Sequence, residues 1–312
     1  MSDTVLRQAA FTAPDRKMLK GGLHCHTTRS DGEGSPAAVE QLHLDNGYDF
    51  LAITDHSRYN RENYLPDSGL LVVPAMEMNC GWDVSWGQHH FHAVAIGPDN
   101  EKNGFAHDEE LPYANLDDPH DFQRYVDKAV ANNNLVIYCH PQWSGTPVRD
   151  FEFLDGIVAM ELWNSGCAID LDRDTDNGIY WDELLGRGRI IWGVASDDGH
   201  GMHHHCHGWV MVNAEKSVPA ILQALKEGAF YASCGPEIYD FYVDEAGAHL
   251  HCSPCHRVVF YCDKHNFPQH ISEEKNLTHA VNGVNNARYI RACAIDAEGR
   301  KAWTNPIFLD GR

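Results

Sequence analysis

His24 and His26 sit two residues apart at the end of an apolar segment, and the turn Ser30-Asp31-Gly32 follows them. Residues two apart in an extended chain face the same side. Both imidazoles can therefore grip one ion or two adjacent ions, with Asp31 adding a hard oxygen donor. The same kind of polar tip recurs. The run 48–54 ends in Thr54-Asp55-His56, the run 70–78 carries Glu77, the next apolar run carries His89, His90 and His92, the run 135–139 leads into His140-Pro141, and a later strand ends in Ser196-Asp197-Asp198-Gly199-His200. Any one of these reads as a satisfied polar cap. Six in succession point instead to a metal centre, because a buried carboxylate such as Glu77 must be paired or bound to a cation. Imidazole and carboxylate donors without thiolate suit Zn, Mn or Fe. Nine donors exceed one tetrahedral site, so two to three divalent ions are implied.

Donors at successive strand ends need strands whose carboxyl ends meet on one side, as in β/α barrels. The elements between them fit. Ser35 and Pro36 start a helix that Asn46-Gly47 ends. Helices are expected from Asp118-Pro119 to about Asn133, around Tyr180 to Leu185, and after Ser217 up to Gly228. Strands are expected at 22–26, 48–54, 70–78, 91–96, 135–139, 156–162 and 190–195, and a loop at 98–116. From about Ile238 the pattern changes to short alternating runs separated by turn signals such as Glu245-Ala-Gly247 and Glu298-Gly299. The reading is a hydrolase barrel over residues 1–236 and a small β-sandwich-like domain over 237–312.

Composition narrows the function. The chain has 312 residues and a formal net charge of −21, which argues against wrapping a nucleic acid. No apolar stretch approaches the roughly 20 residues of a membrane span, and residues 1–20 have no apolar leader core, so a cytoplasmic setting is expected. In that setting the ten cysteines are expected as free thiols. Cys252-Ser-Pro-Cys255-His256 has the spacing of a haem-attachment motif, but an ordinary turn with buried thiols is the simpler reading. The internal group His203-His204-His205-Cys206-His207 follows the last motif and is expected to shape the pocket.

In order and spacing, His24-x-His26 with Ser30-Asp31-Gly32, Thr54-Asp55-His56, Glu77, a strand-borne histidine, Cys139-His140-Pro141 and Asp-x-His closely resemble the PHP (polymerase and histidinol phosphatase) family. The resemblance covers roughly residues 20 to 235. It is strongest to stand-alone bacterial metal-dependent phosphoesterases and relatives of carbaryl hydrolase, which also resemble the chain through its β-rich tail. It implies a distorted (β/α)7-type barrel with a trinuclear site. It also implies His24, His26, Asp31, His56, Glu77, His92, His140, Asp198 and His200 as ligands, with His90 and Asp197 in reserve. Catalysis would fall to His26, Asp31, His56 and Asp198 around a metal-bridging hydroxide. Three dications against three carboxylates and one hydroxide leave about +2, which favours a small anionic phosphomonoester or phosphodiester. Arg29, Arg58 and Arg149 lie beside the motifs and are expected to clamp it. Two alternatives stand beside this: an amide, ester or carbamate hydrolase using the same centre, and a non-catalytic metal-bound scaffold.

Overall fold

The structure is a computed structural model that describes residues 5–309 except 14, 86, 264–268, 272–274 and 285. Part of the N-terminal segment read for a leader, residues 1–4, lies outside the described residues. Six α-helices and three sheets make up the fold. Their caps follow the local chemistry. Ser35 accepts from Ala38 N and Pro36 opens helix Pro36–Asp45, where a missing N–H costs nothing. Ser217 likewise caps Val218–Glu227, and Gly228 ends it at φ +71°.

The first sheet has the order Trp192–Ser196, Ile157–Asn164, Leu135–Tyr138, Gly87–Ile96, Ala75–Val84, Ala114–Asn115. The second, ten-stranded sheet contains Trp209–Val212, Leu19–Gly22, Phe50–Leu51 and Leu71–Val72 on one side. A closed ring of seven β/α units is therefore not formed. Pro74 has no N–H to donate and splits the expected strand 70–78 into Leu71–Val72 and Ala75–Val84, which belong to different sheets. The two sheets meet at the site end through single bridges, Cys25 with Gly199 and His56 with Glu77. Strand Gly87–Ile96 departs from the β/α pattern as well. It pairs antiparallel with both neighbours, since a two-residue link from Val84 leaves room only for a hairpin.

Alternation sorts the side chains. Val94, Ile96, Ile137, Ala159 and Val194 share one apolar cluster with Ile221 and Leu225 of helix Val218–Glu227. Phe91, Ala93, Ala95, Tyr138, Met160 and Leu162 enter another, against Phe122, Val126, Trp181 and Leu184. The first is the interior between the sheets, and the second is the layer under the outer helices.

The ten-stranded sheet continues into the C-terminal part of the chain. Phe230–Ser233 pairs with Lys301–Thr304, which continues to Tyr289–Ile295 and Arg257–Cys262. A four-stranded sheet (Leu6–Arg7, Ile238–Asp244, Gly247–Cys255, Leu277–Asn282) packs over this end through Phe241, Leu250, Val258, Phe260 and Ile290. The chain's first strand thus lies in the C-terminal layer. Arg291 ties the parts together: it is buried, pairs twice with Asp182 at 2.8 and 2.6 Å, and lies over the rings of Trp181 and Tyr261. Cys252 and Cys255 are unlinked to each other and buried on a bulged strand. Among the described residues, no helix is long and apolar enough to cross a membrane.

Candidate metal centre

Glu77 and Glu161 follow Ala75 and Ala159 by two residues, so both continue the inward row of their strands. His92 lies two residues before Val94 on the antiparallel strand, and Ser196 and Asp198 extend the row of Val194. His92 is therefore mid-strand, not at a strand end. His24 and His26 lie just beyond the short strand Leu19–Gly22, whose ladder stops before the expected 22–26. His140 and Asp198 sit at φ +26° and +49°, uncommon for residues with a Cβ. Such outliers are tolerated where the surroundings over-determine them, often at functional sites.

Glu77 stands at the middle. His24 Nε2 lies 3.3 Å from Glu77 Oε1, His92 Nδ1 3.0 Å and His140 Nε2 3.4 Å. Asp198 Oδ1 faces His26 Nε2 at 2.9 Å and His24 Nε2 at 3.2 Å. Asp31, more exposed, closes the outer side, 3.7 Å from His56 Nε2 and 3.5 Å from His200 Nε2. Within His26–Asp31–His56–His200, within His24–His26–Glu77–Asp198 and within His56–Glu77–His92, the donor atoms lie within 4.8 Å of one another.

The donors fit divalent ions. His56 Nδ1 and Glu77 Oε2 are buried and 2.7 Å apart, an ion-pair contact whose alignment falls short of a regular hydrogen bond. A proton holds that pair together in the metal-free protein, and a cation between the same two donors would take its place. The electrostatics agree. Burial pushes the Glu77 carboxyl up, but His92, His24 and His56 outweigh it and hold it well below the usual range. Burial is likewise outweighed at Asp198 by His24, His26 and His140. Burial lowers His26 to about 3. His140 and His200 are raised to about 9 against burial, the first chiefly by Glu77 and Asp198, the second by Asp31 and Asp198. In the metal-free protein, protons on His140 and His200 balance the carboxylates, and bound ions would replace them.

Asp197 is turned away. It accepts from the backbone N–H of Cys206 (2.7 Å), His207 (2.9 Å) and Gly208 (2.8 Å), and from Ser165 Oγ (2.9 Å). His90 packs against Trp143 and His92, on the same face but nearer the rim. The cluster opens into a cavity of about 350 Å³ that also touches Trp143, Cys167, Asp170, Leu171 and His204. None of the three arginines lines it. Arg29 and Arg58 are both tied to Asp108, Arg58 at 2.8 Å, and Arg149 lines a different cavity beside Trp82, His120 and Phe153. Proximity in sequence misplaced Arg149, because helix Val148–Phe151 carries it past the rim.

Several contributors were not singled out in the sequence. Glu161 holds His24 Nδ1 at 2.7 Å and accepts from His140 N at 2.9 Å. Its signal was a lone carboxylate inside the apolar run 157–162. Asp55 fixes the Thr27–Ser30 turn through Thr27 N, Thr27 Oγ1 and Ser30 Oγ, each at 2.8 Å. Asp174 accepts from Gln142 N and Trp143 N and so sets the Trp143 wall. Asp170 pairs with His204 Nε2 at 3.2 Å at the cavity mouth.

No family model matches the chain. A stretch of 41 residues, 13% of the chain, is 46% identical to the DNA polymerase/3'-5' exonuclease PolX of Bacillus subtilis (strain 168) and spans 7% of that protein's length. Among solved structures, an amidohydrolase from Chromobacterium violaceum overlaps 58% of this chain and 88% of its own at 14% identity, with a TM-score of 0.40. A two-domain protein from Bacteroides vulgatus, containing a predicted PHP-like metal-dependent phosphoesterase, superposes over 99% of this chain and 98% of its own at 14% identity, with a TM-score of 0.50. Over nearly its whole length, the chain is PHP-like in fold.

Proposed function

We propose that the chain is a metal-dependent hydrolase whose nine side chains, His24, His26, Asp31, His56, Glu77, His92, His140, Asp198 and His200, hold two to three divalent ions. The observation that carries this reading is the buried group His24, His26, Glu77 and Asp198, whose donor atoms lie within 4.8 Å of one another and which adjoins two further such groups around a cavity. Divalent ions bound there would supply Lewis acidity and an activated water. The protein's own part is positioning. Glu161 and Ser144 hold the far nitrogens of His24 and His140 at 2.7 and 3.2 Å, which turns Nε2 of each ring toward the ions. Trp143 and Leu171 give the cavity an apolar wall for the organic part of a substrate. His204 Nδ1 accepts from Gly201 N at 3.1 Å, so Nε2 carries the proton. That proton faces Asp170 Oδ1 at 3.2 Å at the cavity mouth.

The preferred substrate class is a small phosphate ester. Three carboxylates against three dications leave about +3 before any water ionises, and a phosphoryl group presents several anionic oxygens to it. A specific observation supports the second reading, hydrolysis of an amide, ester or carbamate. The described residues lining the cavity include Asp31, Asp170 and Asp198 but no lysine or arginine, which suits a less anionic substrate. Parallel assays of p-nitrophenyl phosphate, bis-p-nitrophenyl phosphate and an aryl carbamate, with and without added Zn or Mn, separate the two. Metal-dependent turnover of the phosphate esters is expected. Turnover of the carbamate alone transfers the proposal to the second reading, and no turnover of any ester by fully metallated protein favours a binding scaffold.

A further inference from the structure

A second group of donors lies behind the loop that carries Asp198 and His200. His43, Asp197 and His205 come from helix Pro36–Asp45, from the end of strand Trp192–Ser196 and from the histidine-rich segment 203–207, and their donor atoms lie within 4.8 Å of one another. All three are buried, at 0%, 1% and 4% exposure. None belongs to the nine residues of the main cluster.

The hydrogen bonds decide which lone pairs are free. His43 Nδ1 lies 2.8 Å from the backbone oxygen of Val39. A carbonyl can only accept, so Nδ1 carries the proton and Nε2 of the neutral ring is a bare lone pair. That Nε2 has no hydrogen-bond partner and faces Asp197 Oδ2 at 3.6 Å. A lone pair aimed at a carboxylate oxygen is repulsive unless a cation or a proton lies between them. Fixing the far nitrogen on a backbone carbonyl is also how metal-binding histidines are commonly oriented. On Asp197, Oδ1 takes three donors, whereas Oδ2 takes only Cys206 N. Capacity remains on the side of His43.

His205 decides between proton and metal. Neither of its ring nitrogens has a hydrogen-bond partner, although its ring packs edge-on against His43 with centroids 5.3 Å apart. Buried polar atoms in native interiors are nearly always satisfied. A doubly protonated His43 paired with Asp197 accounts for one nitrogen and leaves both of those on His205. The backbone makes room for this ring: a Cβ at Gly199 would stand 2.3 Å from His205 Nδ1.

We propose that His43 Nε2, Asp197 Oδ2 and a ring nitrogen of His205 hold one zinc-class divalent ion, distinct from the main centre, that fastens the 199–208 loop to helix Pro36–Asp45. Two imidazoles and a carboxylate are a common zinc donor set at about 2.0–2.2 Å, and a modest contraction of the group reaches that distance. The role is positional, since the ion would hold the segment from which Asp198 and His200 project.

Anomalous diffraction from crystals of the zinc-loaded full chain, recorded on both sides of the zinc edge, tests the assignment. A peak between His43, Asp197 and His205 is expected, separate from those among His24, Glu77 and His56. Elemental analysis of His205→Ala should then show one ion fewer per chain with the main-centre peaks retained, and His43→Gln gives the same readout if that variant does not fold. A main centre that is occupied beside a second group with no peak, or with only the density of a water, overturns the proposal. Occupation of the second group alone leaves it standing and counts against the proposed function, and zinc at neither place overturns both.

Discussion

Glu161→Gln tests whether the carboxylate behind His24 sets that ring's proton. Glu161 is 1% exposed. Its Oε1 faces His24 Nδ1 at 2.7 Å and takes a short contact from Ser196 Oγ, while Oε2 accepts from His140 N and Asn164 Nδ2, each at 2.9 Å. An ionised carboxylate only accepts, so His24 must keep a proton on Nδ1, and it is Nε2, facing Glu77 and Asp198, that is freed for an ion. Glutamine keeps the shape but has one acceptor oxygen. The backbone N–H of His140 cannot move, so that oxygen should stay with it and the amide NH2 should face His24. His24 then changes tautomer, with Nδ1 accepting and the proton on Nε2, where it blocks an ion. Loss of such a supporting partner typically weakens metal binding about 10–100-fold, or about 1.4–2.7 kcal/mol. The serine hydroxyl can rotate and the imidazole can re-protonate, so the metal-free protein should lose far less stability than if a buried donor were stranded, which costs about 1–3 kcal/mol. Zinc titration against a competing chelator gives the affinity, and thermal unfolding in excess chelator gives the metal-free stability. Unchanged zinc affinity, or a large drop in metal-free stability with affinity retained, would refute the tautomer argument.

Asp198→Ala should lose main-centre ions and most activity, while Asp197→Ala should retain more of the main-centre ions; elemental analysis with the reverse ranking would show that the two aspartates have exchanged roles. Because His140 and His200 are raised to about 9 and must shed protons to bind an ion, apparent zinc affinity should rise with pH toward about 9 and fall below it. A flat chelator-competition profile from pH 6 to 9 contradicts this. Arg149→Ala should leave KM unchanged for any substrate turned over at the main centre, since Arg149 lines another cavity, and steady-state kinetics showing a severalfold rise would place it at the substrate. Arg291→Ala should lower unfolding stability by about 3 kcal/mol, the low end for a broken buried pair, because the Asp182 side chain is 28% exposed and can rehydrate. Denaturant titration showing under 1 kcal/mol would mean that the pair contributes little to joining the β-rich layer to helix Gly178–Gly186.

The sequence was most legible where chemistry is local. The caps Ser35-Pro36 and Ser217 with Gly228, and the polar tips at 24–31, 54–56, 77, 140 and 196–200, declare themselves through spacing and residue type. The Asp-x-His resemblance pointed to Asp198 with Asp197 in reserve, and Asp198 is the one that faces His24 and His26. Alternation makes His92 the inward neighbour of Val94, although the strand runs opposite to the expected direction.

What only the tertiary structure decided depends on groups far apart in the chain. Sheet closure depended on Pro74 splitting a run that reads as one strand, and on ladders whose partners no local pattern identifies. Glu161 reads as one polar residue in an apolar strand until folding brings His24, 137 residues away, to its oxygen. Arg149 looks adjacent to the His140 motif, yet a short helix carries it to another cavity. Residue type and spacing determine which donors a strand offers and toward which face. Which donors share an ion depends on distances of 3 to 4 Å between segments more than 100 residues apart, such as His26 and Asp198, and those distances exist only once the sheets have packed.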